Sequence, residues 1–191
     1  MQTVSPTYTQ YEMWLEDTSW DFYIELLEHN RVVATTPWSL FWERSADSAA
    51  APAPIQVWSS KVTPGADRIQ LPVVPVIANV APLVLLQVEI DYRAKNAMHS
   101  LPIIGAIPRY LVRASDVLQR IPVTIDPYTT TTRFPLLAIR GKAPVLSWST
   151  ASLLPGAELE VSAVRLYVVQ TSPANEPWIK ALVAQESGQA P

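Results

Sequence analysis

Few side chains in this sequence have the types and spacing for chemistry. There are two histidines, His29 and His99, and no cysteine. A catalytic serine needs a base, and both histidines sit in polar stretches, His29 in EHNR and His99 in KNAMHS. No serine lies in a Gly-x-Ser-x-Gly elbow. The lack of cysteine excludes disulfides, thiolate metal sites and cysteine nucleophiles. Two isolated histidines do not make a zinc site of ordinary spacing. Glu89 with Asp91, and Glu158 with Glu160, are i,i+2 carboxylate pairs on one strand face. Such pairs can do glycosidic acid/base work or hold Ca²⁺. Solvent faces of strands carry charge in the same pattern, and that is the expectation for both pairs. No Gly-x-Gly-x-x-Gly or P-loop is present to cradle a phosphate. The chain is therefore expected to be a non-enzyme without cofactor or metal.

The seven tryptophans have binding potential. Trp14, Trp20, Trp38, Trp42 and Trp58 crowd the first third of the chain. Tryptophan anchors interfaces, stacks on sugars and also fills cores. Trp20 and Trp148 fall in expected strands and are assigned to the core. Trp14 and Trp178, near the termini, are assigned to an interface. Tyr8 and Tyr11 join them from the first residues, and Ile179, Leu182 and Val183 from the last.

Composition narrows the role further. Charged residues make up 16% of the 191. Ordinary soluble domains carry roughly 25%. Hydrophobic residues make up 49%. A surface so poor in charge implies that part of it is covered by a partner or by copies of the same chain. The net charge is −3 and no Lys/Arg cluster occurs, so direct nucleic-acid binding is not expected. The first ten residues are polar and lack a signal-peptide pattern. Leu71–Leu86 is apolar but carries Pro72, Pro75 and Pro82, which would break a membrane helix repeatedly. It is expected to be buried extended chain. Arg exceeds Lys, Asn is scarce and Pro is frequent, which fits a thermophilic source; a GC-rich genome gives much the same bias.

The elements that must position these residues are mostly strands. There are 18 prolines and only 5 glycines. Residues 1–13 are expected to be an extended arm, 14–171 a β-sandwich domain and 172–191 a tail. Within the domain, the Ala/Pro/Ser-rich segment 45–54 is a surface loop. Trp20–Leu27 alternates and is expected to be a half-buried strand, joined through the EHNR turn to a strand over Arg31–Thr36. Trp38–Trp42 and Ile55–Val62 follow. Thr63–Asp67 has Pro and Gly suited to a type II turn. Pro82–Arg93 is the clearest strand, with Val84, Leu86, Val88, Ile90 and Tyr92 on one face. Its other face begins apolar and ends polar, as a strand does on emerging from under cover. Ser115 or Asp116 could cap one helical turn through Arg120. Strands are also expected over Arg109–Arg113, Phe134–Arg140, Pro144–Thr150 and Glu158–Gln170. In the last, alternation slips near Ala163, as a bulge would cause. Asn175 and Pro177 suit the start of a short C-terminal helix, whose Trp178/Leu182 and Ile179/Val183 pairs form an apolar stripe. Eight to ten antiparallel strands with almost no helix make an all-β sandwich or barrel.

The strand-rich body, the extended N-terminal arm and the long late strand ELEVSAVRLYVVQTSP with its tail together resemble a viral jelly-roll capsid protein. Size, lack of cysteine and the thermophile-like composition are most similar to the small single jelly-roll major capsid proteins of tailless, internal-membrane icosahedral DNA viruses of thermophilic bacteria. The resemblance implies a single jelly-roll barrel of two four-stranded sheets that self-assembles into a shell. Its partners would be copies of itself, a second capsid protein and the internal viral membrane. It would be made in the host cytoplasm and reside in the virion. The alternatives are a carbohydrate-binding β-sandwich, with the Trp-rich first third as platform, and a phage tail or baseplate β-domain; a β-sandwich hydrolase is more distant.

Overall fold

The computed structural model describes residues 2–4, 20–36, 39–44, 54–73, 83–96, 109–117, 123–139, 141–151 and 156–169. In chain order these form β1 (Gln2–Val4), α1 (Trp20–His29), β2 (Asn30–Thr35), β3 (Ser39–Arg44), β4 (Ile55–Lys61) and β5 (Arg68–Gln70). Then come β6 (Leu83–Asn96), β7 (Arg109–Ser115), β8 (Val123–Ile125), β9 (Thr131–Ile139), β10 (Val145–Ala151) and β11 (Ala157–Val168). The fold is all-β, with antiparallel sheets and, among the described residues, one ten-residue helix.

Two four-stranded sheets form the body, ordered β4-β11-β6-β9 and β5-β10-β7-β8. Period-2 alternation turns one face of each inward. Leu86, Val88, Ile90 and Tyr92 of β6 share one buried cluster with Phe134 and Leu136 of β9 and Val164 and Leu166 of β11. Tyr110 and Val112 of β7, Ile125 of β8 and Leu146 of β10 complete that cluster from the other sheet. This is a sandwich core, and the expected inner face of the Pro82–Arg93 strand is the one that fills it.

Buried tyrosines tie the sheets together at their polar tips. The Tyr110 hydroxyl donates to the Lys95 carbonyl at 2.9 Å. The Tyr92 hydroxyl donates to the Asp126 carbonyl at 2.7 Å, fixing the turn between β8 and β9. That turn is also held locally, because the Asp126 carboxylate accepts from the Tyr128 amide at 2.9 Å, as aspartate commonly does in turns. Between β4 and β5, Gly65 has φ +82° and the Ala66 amide donates to the Thr63 carbonyl at 3.0 Å. That is the geometry expected of Thr-Pro-Gly-Ala. The β11–β6 register shifts between Val161 and Ala163, where alternation slips in the sequence.

Three local expectations are corrected. Trp20–Leu27 is not a strand but most of α1. Its apolar residues fit both periods, and Trp20 and Ile24 fall at i,i+4 on one helix face. In a strand Trp20 and Phe22 would share a face, yet Trp20 is 3% exposed and Phe22 47%. The EHNR stretch is accordingly not a hairpin turn. It ends the helix and begins β2, with the Asn30 side-chain amide donating to the Leu26 carbonyl at 3.2 Å. That bond satisfies one of the carbonyls a helix end leaves without a partner. The hairpin partner of β2 is β3. Finally, Asp116 has φ +56° and Val117 bridges Ala138. Neither starts a helical turn; residues 118–120 lie outside the described residues.

Three short strands among the described residues before β4 make a separate, smaller sheet. The third sheet is ordered β1-β3-β2. Of the expected arm, Gln2–Val4 pair with β3 of the same chain. Of Leu71–Leu86, Leu71 is buried, Val73 is exposed and Leu83 onward is β6; the proline-rich middle lies outside the described residues.

Candidate functional site

The chemistry-bearing residues collect on the outer face of the β4-β11-β6-β9 sheet. Antiparallel pairing places Ser59, Arg165, Glu89 and Arg133 opposite one another in one row across all four strands. Arg165 Nη1 donates to Glu89 Oε1, and Arg133 Nε donates to Glu89 Oε2, both at 2.6 Å. Arg165 also reaches Asp91, with Nη1 at 3.1 Å from Oδ1 and Nη2 bonded to Oδ2. Thr131 Oγ1 donates to Asp91 Oδ1 at 3.0 Å. A guanidinium fork across two carboxylates is a strong, directional arrangement.

The electrostatics follow from the contacts. The hydrogen bond from Arg165 holds the Asp91 carboxyl below its usual value, against the opposing effect of burial. Arg165 is in turn held more firmly protonated, first by Asp91 and then by Glu89. Burial pushes the neighbouring Tyr167 phenol up, and the Glu89 charge adds to this.

This region differs from the expected solvent-washed face. Leu85, Gln87 and Glu89 all point outward from the sandwich, yet Glu89 is 7% exposed and the other two are buried as well. Helix α1 explains part of the cover. Trp20 Nε1 donates to Gln87 Oε1 at 3.0 Å, and both side chains are buried. Ile24 of the same helix, with Pro54, Gln87, Glu89, Arg133 and Tyr167, lines a small cavity of about 210 Å³. Further along β6, Asp91 is partly exposed and Arg93 exposed. The strand emerges from cover as its second face predicts. Every carboxylate oxygen of Glu89 and Asp91 accepts from an arginine. The pair is built as an ion network rather than as a free acid and base.

The second carboxylate pair lines a different surface. Glu158 and Glu160 flank Lys95, whose Nζ lies 3.9 Å and 2.8 Å from them. Hydrogen bonding to Lys95 lowers the Glu160 carboxyl below its usual value and raises the lysine. These residues border an open groove of about 550 Å³, with Asp67, Trp148, Ser149 and Thr150 on its other side. Trp148 is not presented as a flat platform there. It is nearly buried, and its Nε1 donates to the Ala66 carbonyl at 3.0 Å.

The described tryptophans serve packing. Trp20, Trp42 and Trp148 are buried, and Trp58 packs partly buried against the core. Trp20 and Trp148 are thus the core residues expected, although Trp20 is on a helix and outside the main cluster. His29 closes the last turn of α1 and is exposed. Tyr8, Tyr11, Trp14, Trp178, Ile179, Leu182 and Val183, the expected interaction residues, all lie outside the described residues, as do His99 and the expected C-terminal helix. The Arg165–Glu89–Arg133 row was not anticipated from sequence. Its only sequence signal is that β9, β6 and β11 carry charges of alternating sign, Arg133, Glu89 and Arg165, at alternation positions opposite to their buried residues.

Among the described residues, no group of three or more His, Cys, Asp or Glu side chains is arranged to hold a metal ion. Likewise, none of their helices is long and apolar enough to cross a membrane. Comparison of the chain with protein-family models, with curated proteins and with solved structures returned no match.

Proposed function

We propose that this chain is a structural subunit whose jelly-roll body assembles with copies of itself into a viral shell. The carrying observation is the strand order. Counting β4 to β11 as first to eighth, one sheet runs 1-8-3-6 and the other 2-7-4-5. The neighbours 1–8, 2–7, 3–6 and 4–5 are the pairs of one long antiparallel ribbon folded on itself. Wrapping such a ribbon around a core sends alternate pairs to opposite sheets, and this order supports reading the body as the double Greek key of a jelly roll.

Two further features support the reading. The low charge fraction suits a chain whose surface is largely covered in an assembly. The outer carboxylates are locked to arginines, so the site offers rigidity rather than an acid and base. In this reading the partners are further copies, a second shell protein and an internal membrane, and the protein resides in the virion. The carbohydrate-binding alternative gains nothing from the described tryptophans, all of which pack inward or sit in the core.

The test is electron microscopy and sedimentation of the purified full-length chain. Closed shells, sheets or capsomers at modest concentration are expected. A chain that stays monomeric to millimolar concentration and changes its tryptophan fluorescence on a glycan panel overturns the proposal.

A further inference from the structure

The two main sheets have four edges, and three of them are blunted against pairing. β5 and β8 are three residues long, and β9 carries Pro135 in its middle. Shortness and proline are the usual ways in which an edge is kept from recruiting another strand. β4 is the exception. It is seven residues long, has no proline within it, and exposes Ile55 and Val57 at 48% and 44%. A bulge at Val57 interrupts its pairing with β11, but Trp58–Lys61 is regular. Among the described residues nothing pairs with its outer edge.

We infer that the β4 edge is an interface with a second copy of this chain, paired β4 to β4 in antiparallel fashion across a two-fold axis. This rests on reading the chain as a self-assembling subunit and names the contact. The strand is suited to its own copy by charge and by face. Lys61 is its only charged residue. Antiparallel self-pairing sends the two Lys61 side chains to opposite ends, whereas parallel pairing would set them side by side.

The register follows from symmetry. A two-fold axis perpendicular to the sheet keeps core-facing residues opposite core-facing residues. The axis must therefore lie midway between the two copies of one residue. Ser60 is paired with core-facing Val164, and Ser59 with outward-facing Arg165. Centring the axis on Ser59 sets Ser59 against its own copy and Trp58 against Ser60. It also sets exposed Val57 against the aliphatic stem of Lys61, which can cover it while its amine stays in water. The Arg133–Glu89–Arg165–Ser59 row then continues into the same row of the second copy. The two Arg165 side chains stand three strand spacings apart, roughly 14 Å, beyond strong mutual repulsion at physiological salt.

The chain has no cysteine, so one introduced thiol reports this contact without interference. Ser59→Cys in the full-length protein should form a disulfide dimer under mild oxidation, because directly opposite residues bring their Cβ atoms to about 5 Å. Thr124→Cys, exposed on the blunted edge strand β8, is the control and should cross-link far more slowly. Val57→Lys, at an exposed position, should weaken self-association by about tenfold in sedimentation velocity. Cross-linking of Ser59→Cys no faster than of Thr124→Cys overturns the inference, as does unchanged association of Val57→Lys. The outcomes separate the two proposals. Shells that form without the Ser59 cross-link overturn this contact alone. A cross-linked dimer that never grows larger upholds the contact and overturns the shell.

Discussion

Arg165 on β11 and Glu89 on β6 lie directly opposite each other, and the guanidinium donates to the carboxylate at 2.6 Å although 76 residues separate them. Glu89 is almost wholly buried, and its two carboxylate oxygens meet Arg165 and Arg133. Losing one partner of a buried pair is costly because the other charge stays behind.

Arg165→Met is accordingly expected to lower stability by about 2 kcal/mol, less than for a fully buried pair because the arginine keeps some solvent contact. The double change Glu89→Leu with Arg165→Met should cost less than the two single changes added together. Urea midpoints of the four proteins measure the coupling, with slopes unchanged if the compactness of the two states is preserved. Simple additivity would show that the pair is not coupled.

Asp91 predicts an acid-side pH dependence. Its carboxyl is held below the ordinary 3.8, chiefly by the hydrogen bond from Arg165. A group with a lowered folded value stabilises above its unfolded value and loses that contribution as pH falls toward the folded one. The stability difference between the native protein and Asp91→Asn should be flat above about pH 5 and shrink steadily below about pH 4. Chemical denaturation at a series of pH values tests this, and a difference that grows on acidification would contradict it.

Tyr92 predicts the opposite limb. Burial raises its phenol above the ordinary 10.0, with a smaller push from the Asp126 charge and an opposing hydrogen bond from Thr129. Its contribution is complete below pH 10 and declines as pH rises from there toward the folded value. Tyr92→Phe should remove that alkaline decline. At neutral pH it should cost about 1 kcal/mol. The figure is modest because the Thr129 amide also donates to the Asp126 carbonyl. Thermal melts at neutral and alkaline pH compare the two proteins.

Trp20 predicts a local effect. Trp20→Phe keeps an apolar ring over the sheet but leaves the buried Gln87 carbonyl oxygen without its donor. The expected cost is about 2 kcal/mol. Hydrogen exchange should show α1 amides losing protection well before those of β6 and β11. Uniform loss across helix and sandwich would mean that α1 and the body open as one unit.

Much of this architecture is legible locally. Leu86, Val88, Ile90 and Tyr92 fill the core from the inner face of β6, because a period of two leaves only one way to bury four large side chains. The slip near Ala163 marks the β11 bulge, and Thr-Pro-Gly-Ala marks its turn. Proline restricts φ and glycine frees it wherever they occur. Helix α1 is not legible in the same way. Its residues satisfy both periods, and the choice falls to the outer sheet face around Gln87, which Trp20 and Ile24 reach.

By itself, then, the amino-acid order determines most of the sandwich strands, which of their faces are apolar and where several of them turn, because those properties depend on neighbours a few residues away. Only the tertiary structure decides which strands are adjacent and in what register. That choice brings Arg165 and Arg133 onto Glu89, closes an ion network around that buried carboxylate and, among the described residues, leaves β4 as the long unpaired edge. Such pairings depend on residues far apart in the chain, and their energies are gained only once both sheets have closed on a common core.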